Sequence, residues 1–382
     1  MQNSRQKPLE FRRDEVTYIM QRWMASESCS LVGIGSVGKS NLLRHLADSK
    51  VQESYLKISN ANEFRTIIID PNLFGPLPRL DSNEAEQFCC WAGYEILMHR
   101  LFMNFFPFTE NTLLSKQDGQ EFYELYKVLQ DGTNPLYAYM GIRYFELGLQ
   151  IILQHGIRIV FMFDEFEKML TSLPPVFFQS LRGIRDTHKK QLGYLTFTRA
   201  PLDTLVETLK LDTLALEPFT ELFVDNVYYV GPYNQADAMR MIDELMSQNN
   251  KKLTEIELEF LLWSSGRYAG LIRSIYHTID VVKPLEKSAM GNEGVLRKLA
   301  LRRSIRTECR TTWLSLTQSE KHVLRAVAGL ENYNSNAETE RAVAMLVQKH
   351  LLKVNKLHQT LEVQPPIFKA YIVTHDESDQ AQ

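Results

Sequence analysis

The run Gly33-Ile34-Gly35-Ser36-Val37-Gly38-Lys39-Ser40 constrains this chain most, because it fits the pattern G-x-x-x-x-G-K-[ST] without a gap. Its flanks matter as much as the match. Cys29 to Val32 form a short apolar run, and Asn41 to Leu46 continue as an amphipathic helix, so the run stands where a buried strand must turn into a helix. Glycines there permit the backbone angles that aim successive amides inward, toward an anion at a helix start. Gly33, Gly35, Ser36, Val37, Gly38, Lys39, Ser40 and Asn41 are therefore expected to surround phosphates. In that arrangement Lys39 is a point charge on the β- and γ-phosphates and the Ser40 hydroxyl holds magnesium.

Downstream, apolar strands alternate with helical stretches. Thr66 to Ile69 form a β-branched run ending at Asp70-Pro71, and Ile157 to Phe163 are apolar except for Arg158 and are closed by Asp164-Glu165. A third run, Gly193 to Thr198, ends at Arg199. Continuous apolar runs separated by helices predict a doubly wound α/β fold with a parallel sheet, whose ligands bind at the carboxyl ends of the strands. The loop, Asp164-Glu165 and Thr198-Arg199 all fall there. Asp164 is the expected magnesium partner, Glu165 the general base that activates water, and Thr198 or Arg199 a contact to the γ-phosphate.

Length and composition bound the rest. A chain of 382 residues accommodates two or three domains, and 44% hydrophobic with 23% charged residues is ordinary for a soluble protein. The net charge of -3 carries no global signature of a nucleic-acid binder. Cys29, Cys89, Cys90 and Cys309 show no CxxC spacing, which disfavours both a zinc site and a disulfide framework. The N-terminal residues have no apolar leader core, and no window approaches the roughly eighteen apolar residues of a membrane span. The expectation is a cytoplasmic protein with no membrane partner. The scattered histidines take no role.

Beyond Glu217-Pro218-Phe219 the chain changes character. The boundaries read as a core over 1–225, a helical lid over 226–288, a winged helix-turn-helix over 289–374 and a disordered polar tail over 375–382. Thr317 and Glu320 stand at capping-box spacing, and Leu351 to Val354 with Leu361 to Val363 predict a two-stranded wing. A basic helix over Val295 to Arg310 carries Arg297, Lys298, Arg302, Arg303, Arg306 and Arg310 at spacings that put many on one side. It either tracks a phosphate backbone or braces the lid through acidic partners, and the net charge favours the brace. The recognition segment, Ala337 to His350, carries Glu338 and Glu340 where a DNA reader more usually shows Arg, Asn or Gln.

In this order the motifs resemble the signal-transducing STAND subdivision of the AAA+ ATPases, with archaeal origin-recognition ATPases as relatives. Phe11 to Met20 resembles the N-terminal box, usually Gly-Arg-Glu, in which Arg13 matches the arginine and Arg12 replaces the glycine. Ile159 to Met169, Val176 to Asp186, Leu195 to Leu205 and Tyr228 to Ile242 follow as Walker B, the next helix, sensor 1 and lid entrance. The resemblance implies ATP/ADP and Mg2+ as cofactors, with Arg13 beside the nucleotide and Thr198-Arg199 as the sensor. It makes Arg267 or Arg273 the lid's phosphate sensor, and Arg182 and Arg185 candidate arginine fingers, although a solvated helix face is favoured for each of the last two. Ala269-Gly270 replaces the lid proline that packs on adenine, which leaves base preference open.

The function so implied is an ATP-hydrolysing switch that couples nucleotide state to domain rearrangement and to a separate protein partner in signalling or defence, with self-association a further expectation. Two alternatives stand beside it. One is a DNA-binding AAA+ initiator or regulator of transposition or transcription, with DNA not favoured by net charge. The other is a nucleotide-stabilised scaffold with little turnover.

Overall fold

A computed structural model describes residues 7–56, 64–107, 114–131, 137–282, 285, 291–355, 358 and 360–380. Residues 1–6 of the expected polar arm, 109–113 of a polar connector, Leu136, and Lys283-Pro284 with Met290 of an expected interdomain break lie outside them. The chain forms two compact units, Met1–Val32 with Ser40–Tyr228, and Gly33–Lys39 with Tyr229–Gln382.

The first unit is an α/β layer structure. Its strands are β1 (Cys29–Val32), β2 (Phe64–Ile69), β3 (Arg158–Phe163), β4 (Leu192–Thr198) and β5 (Val227–Tyr229). They form a five-stranded sheet in the order β2-β3-β4-β1-β5. The pairs β2–β3, β3–β4 and β4–β1 are parallel, with Ile69 opposite Phe163, Phe163 opposite Thr196 and Val32 opposite Thr198. That register brings the carboxyl ends of these strands to one edge. Every residue of β3 after Arg158 is buried, as expected of a central strand covered on both faces.

Helices α1 (Arg13–Met24), α2 (Lys39–Leu46), α3 (Ser49–Leu56), α4 (Asn83–Phe105), α5 (Lys116–Gln130) and α6 (Tyr137–Leu153) precede β3 in the chain. After it come α7 (Phe166–Ser172), α8 (Pro175–Thr187), α9 (Leu202–Thr208) and α10 (Thr213–Thr220). Local chemistry sets several starts. The Ser82 hydroxyl accepts from Ala85 N–H at the head of α4, Ser115 and Asp118 close a capping box on α5, and Pro175 opens α8 at the position where its missing N–H costs nothing. Ile67, Phe161 and Phe163 of the strands bury against Leu97, Phe145, Phe166 and Phe177 of the helices in one continuous core.

The second unit contains α11 (Gln235–Asn249), α12 (Glu255–Ser265), α13 (Ala269–Thr278), α14 (Glu293–Ala300), α15 (Arg303–Leu314), α16 (Gln318–Val327) and α17 (Ala337–Gln348). These are followed by β6 (Leu352–Asn355), β7 (Thr360–Val363) and α18 (Pro366–Gln380). The predicted box is present on α16, where Thr317 Oγ1 accepts from Glu320 N–H at 3.2 Å and Glu320 Oε2 accepts from Thr317 N–H at 2.8 Å. Helices α16 and α17 pack on each other, and β6–β7 is an antiparallel hairpin with Val354 opposite Leu361, the wing of a winged helix-turn-helix.

Two expectations differ from what forms. The single basic helix over Val295 to Arg310 is two helices, because Arg302 is extended (φ -70, ψ 134) and starts α15 afresh. Helix α18 runs through 375–380, where composition predicts a disordered tail.

Candidate functional site

Residues 33–39 leave β1 as an irregular loop whose turns lie at two left-handed positions, Ser36 (φ 68) and Gly38 (φ 89). Glycine is required at the second. A Cβ on Gly38 would lie 2.8 Å from Tyr233 Oη and 3.3 Å from Ala269 Cβ. Val37 is fully buried, so the loop is anchored from below by an apolar side chain. Lys39 begins α2, Ser40 is exposed, and Asn41 Oδ1 accepts from Arg44 Nη2 at 2.7 Å.

The loop tip is held by the second unit, of which it is part. Ser36 O accepts from Gly270 N–H at 3.0 Å, and Ser36 Oγ donates to a carboxylate oxygen of Glu308 on α15. This gives a physical reason for the missing lid proline. A proline at 270 has no N–H for Ser36, and even a Cβ there would meet Glu308 Oε2 at 2.5 Å and Ser36 Cβ at 2.9 Å.

At the carboxyl edge of the sheet, in the first unit, the acidic pair and the sensor residues form a connected group. Asp164 N–H donates to Ile69 O at 3.0 Å, and Asp164 Oδ1 accepts from Glu165 N–H at 2.9 Å. Glu165 is itself left-handed (φ 43, ψ 46), a conformation that costs a non-glycine residue about 1–3 kcal/mol and persists where neighbours over-determine it. The neighbours are evident: Lys168 Nζ donates to Glu165 Oε2, Asn72 Nδ2 lies 3.4 Å from the same oxygen, and Arg199 Nη2 is 3.5 Å from Oε1. Burial by itself would raise the Glu165 carboxyl, but the Lys168 hydrogen bond and charge, with Asn72 and Arg199, hold it below the usual carboxylate range. Arg199 also reaches Glu167 Oε1 at 3.2 Å. Thr198 Oγ1 is buried and makes no hydrogen bond among the described residues, so a polar atom with unused capacity stands beside Arg199.

The remaining sequence-expected positions separate. Arg13 is exposed on the first turn of α1, while its neighbour Arg12 is buried, left-handed (φ 49) and paired with Glu15. The backbone at Arg12 thus keeps the conformation for which glycine is the usual choice. Arg273 is exposed, whereas Arg267 is half-buried and left-handed (φ 67), with its carbonyl accepting from Tyr233 N–H at 3.0 Å. Arg182 and Arg185 are committed within the unit: Arg182 to Asp186 at 2.8 Å and Pro218 O at 2.6 Å, Arg185 to Ser26 O at 3.0 Å. Neither projects as a free finger.

Four arginines of the basic segment depart from the favoured brace. Arg302, Arg303, Arg306 and Arg310 are exposed and make no ion pair among the described residues, so acidic partners do not hold them. Asn72, Lys168, Glu167, Tyr233 and Glu308 were not singled out by sequence reasoning. Lys168 sits three residues from Glu165, a spacing that signals a helical ion pair, and Asn72 follows the strand-ending Asp70-Pro71. Glu308 has no such signal.

No protein-family model and no curated protein matches the chain. Solved structures do. The Walker-type ATPase PABY2304 of Pyrococcus abyssi superposes with a TM-score of 0.50 at 14% identity, over 96% of this chain and 98% of that one. The ORC2 protein of Aeropyrum pernix, solved as ADPNP-ADP complexes, superposes with a TM-score of 0.51 at 12% identity, over 100% of this chain and 98% of that one. The chain shares its overall fold with these two solved structures. At such identities the likeness concerns the fold alone.

In oxygen chemistry the residues suit a magnesium nucleotide. Ser40 supplies a hydroxyl and Asp164 a carboxylate, hard donors of the type magnesium takes alongside phosphate oxygens. Among the described residues no group of three or more His, Cys, Asp and Glu is placed to hold a metal. No helix among the described residues is long and apolar enough to cross a membrane.

Proposed function

We propose that this chain is a nucleotide-dependent switch of the STAND type: it binds ATP and magnesium through residues 33–41 and hydrolyses ATP slowly, using Glu165. The observation that carries this reading is the membership of the loop. Residues 33–39 are joined covalently to β1 and α2, yet they pack with Tyr229–Gln382. A ligand that wraps this loop changes the contacts of the second unit directly. ATP then shifts the population toward one arrangement by its differential contacts, and hydrolysis resets it. A complex of the similarly folded ORC2 protein with ADPNP and ADP supports an adenine nucleotide as the ligand.

In this scheme Lys39 neutralises the terminal phosphates, Ser40 and Asp164 hold the ion, and Glu165 orients water once released from Lys168 and Asn72. Thr198 and Arg199 contact the γ-phosphate, and Arg267 or Arg273 contributes from the lid. Arg13 lies beside the nucleotide. A separate protein reads the state through the winged-helix region over 289–374, with self-association as a further means of output. Lys39→Ala should lose nucleotide binding, and Glu165→Gln should keep binding while losing turnover. Full ATP affinity in Lys39→Ala, measured by calorimetry, would defeat the reading.

A second reading is favoured by one observation: the exposed residues Arg303, Arg306 and Arg310, which make no ion pair among the described residues, lie on one face of α15, with exposed Arg302 just before its start. Such a stripe suits a nucleic-acid phosphate backbone. Helix α17 opposes base reading, since Glu338 and Glu340 occupy its first turn. A gel shift on duplex DNA that weakens steeply with salt, and less steeply by about one unit of slope per neutralised arginine, would establish this mode.

A further inference from the structure

We propose that Glu308, Ser36 and Gly270 form a latch on the tip of the phosphate loop, and that an incoming nucleotide must work against it. The proposal rests on the reading of residues 33–40 as a nucleotide site.

The argument begins with charge. A loop shaped by sequence to receive phosphates carries, at its tip, a hydrogen bond from Ser36 Oγ to the carboxylate of Glu308. A carboxylate in that place occupies the Ser36 hydroxyl as an anion and repels further negative charge nearby. The two residues are 272 positions apart, and α15 brings them together because its buried side is anchored. Ile305, Cys309 and Thr312 are almost fully inaccessible, which fixes the helix and leaves the half-buried Glu308 facing the loop.

The fit is specific on three sides. Ser36 is held left-handed, its carbonyl accepts from Gly270 N–H at 3.0 Å, and its hydroxyl reaches Glu308. Gly270 leaves room for the carboxylate, since a Cβ there would stand 2.5 Å from Glu308 Oε2. The next loop residue toward β1 is also covered by α15: a Cβ on Gly35 would lie 3.2 Å from Thr311 Cγ2. The replacement of the lid proline by Ala269-Gly270 and the presence of Glu308 are therefore one device. Removing the carboxylate's charge, or displacing it, should free the loop for phosphates.

The same helix carries Arg303, Arg306 and Arg310 on its exposed side.

The test is calorimetric titration of the full chain with ATP and with ADP, for the parent, Glu308→Gln, Gly270→Ala and Lys39→Ala, with circular dichroism melts as the folding control. Glu308→Gln keeps an acceptor for Ser36 but removes the charge; Gly270→Ala keeps the charge but pushes it away. Both should bind nucleotide about tenfold more tightly, the scale of one hydrogen bond to a charged group. Binding at parental or weaker affinity in both, with Lys39→Ala inactive, would overturn the latch and leave the nucleotide site standing. Unimpaired binding in Lys39→Ala would overturn both. If Gly270→Ala does not fold, Glu308→Asp replaces it, because it retracts the carboxylate by one methylene and should likewise tighten binding.

Discussion

Lys349 Nζ lies 2.6 Å from Glu320 Oε1, and the two side chains are only 1% and 2% exposed. The pair joins the end of α17 to the start of α16. The other carboxylate oxygen of Glu320 accepts from Thr317 N–H at 2.8 Å, so one side chain both caps a helix and neutralises a buried ammonium. Breaking such a pair leaves a charge without a partner in a low-dielectric interior, a change that costs about 3–5 kcal/mol. Lys349→Met and Glu320→Gln should each lower the denaturant midpoint substantially. Lys349→Met leaves the carboxylate, and Glu320→Gln the ammonium, buried without its counterion. Equal stability of Glu320→Gln and the parent in urea titration would contradict the buried-pair account.

The second prediction concerns acid. The carboxyl of Glu165 is held below its ordinary value, so between its folded and unfolded values the unfolded chain binds more protons. Its contribution to stability is accordingly present above the unfolded value of 4.5 and is lost as pH falls through the lower folded value. Lys168→Met removes the chief group that lowers it and narrows that window. Below pH 4.5 the variant's melting temperature should depend on pH more weakly than the parent's. Lys168 is nearly half exposed, so the effect is small and fades further with added salt. Identical acid limbs for variant and parent would show that Lys168 does not set the Glu165 ionisation.

A third prediction tests the core. Gly93 lies on α4 against Phe177, and a Cβ added there would overlap Phe177 Cε2 and stand 2.8 Å from Cδ2. Phe177 is fully buried. Overpacking of this type costs about 1–3 kcal/mol. Gly93→Ala also gains about 1 kcal/mol of helix propensity, so the net change should be a modest loss of stability despite the better helix former. A higher melting temperature would mean that Phe177 has room to move.

Thiol chemistry supplies the fourth. Cys29, Cys89, Cys90 and Cys309 are all buried, and burial pushes each thiol up, that of Cys90 to about 12. The thiolate is the reactive form, so native protein at neutral pH should react with Ellman's reagent far more slowly than urea-unfolded protein. Rapid native labelling at any of the four would indicate local opening of its helix or strand.

Local features of this protein are legible in its sequence because each is written in adjacent residues. β1 begins and ends where the apolar run Cys29 to Val32 does, β3 shows as apolar residues closed by Asp164, and Thr317 with Glu320 announces the start of α16. The glycine spacing likewise announces the turn after β1, since backbone conformation depends on the residue itself. The α/β class and the C-terminal wing follow from the order of such pieces.

Tertiary structure decided the rest. No periodicity in the sequence places Glu308 against Ser36, because a contact between residues so far apart depends on how α13 and α15 pack. The break at Arg302, the left-handed turn at Arg12 and the ties from Asn72 and Lys168 to Glu165 are decided in the same way. Those ties determine whether an acidic residue at a strand end is free to act, and they arise only when separate strands and helices bring their ends to one edge. The sequence by itself determined where the strands, turns and caps lie; packing decided which polar side chains are engaged, and by what.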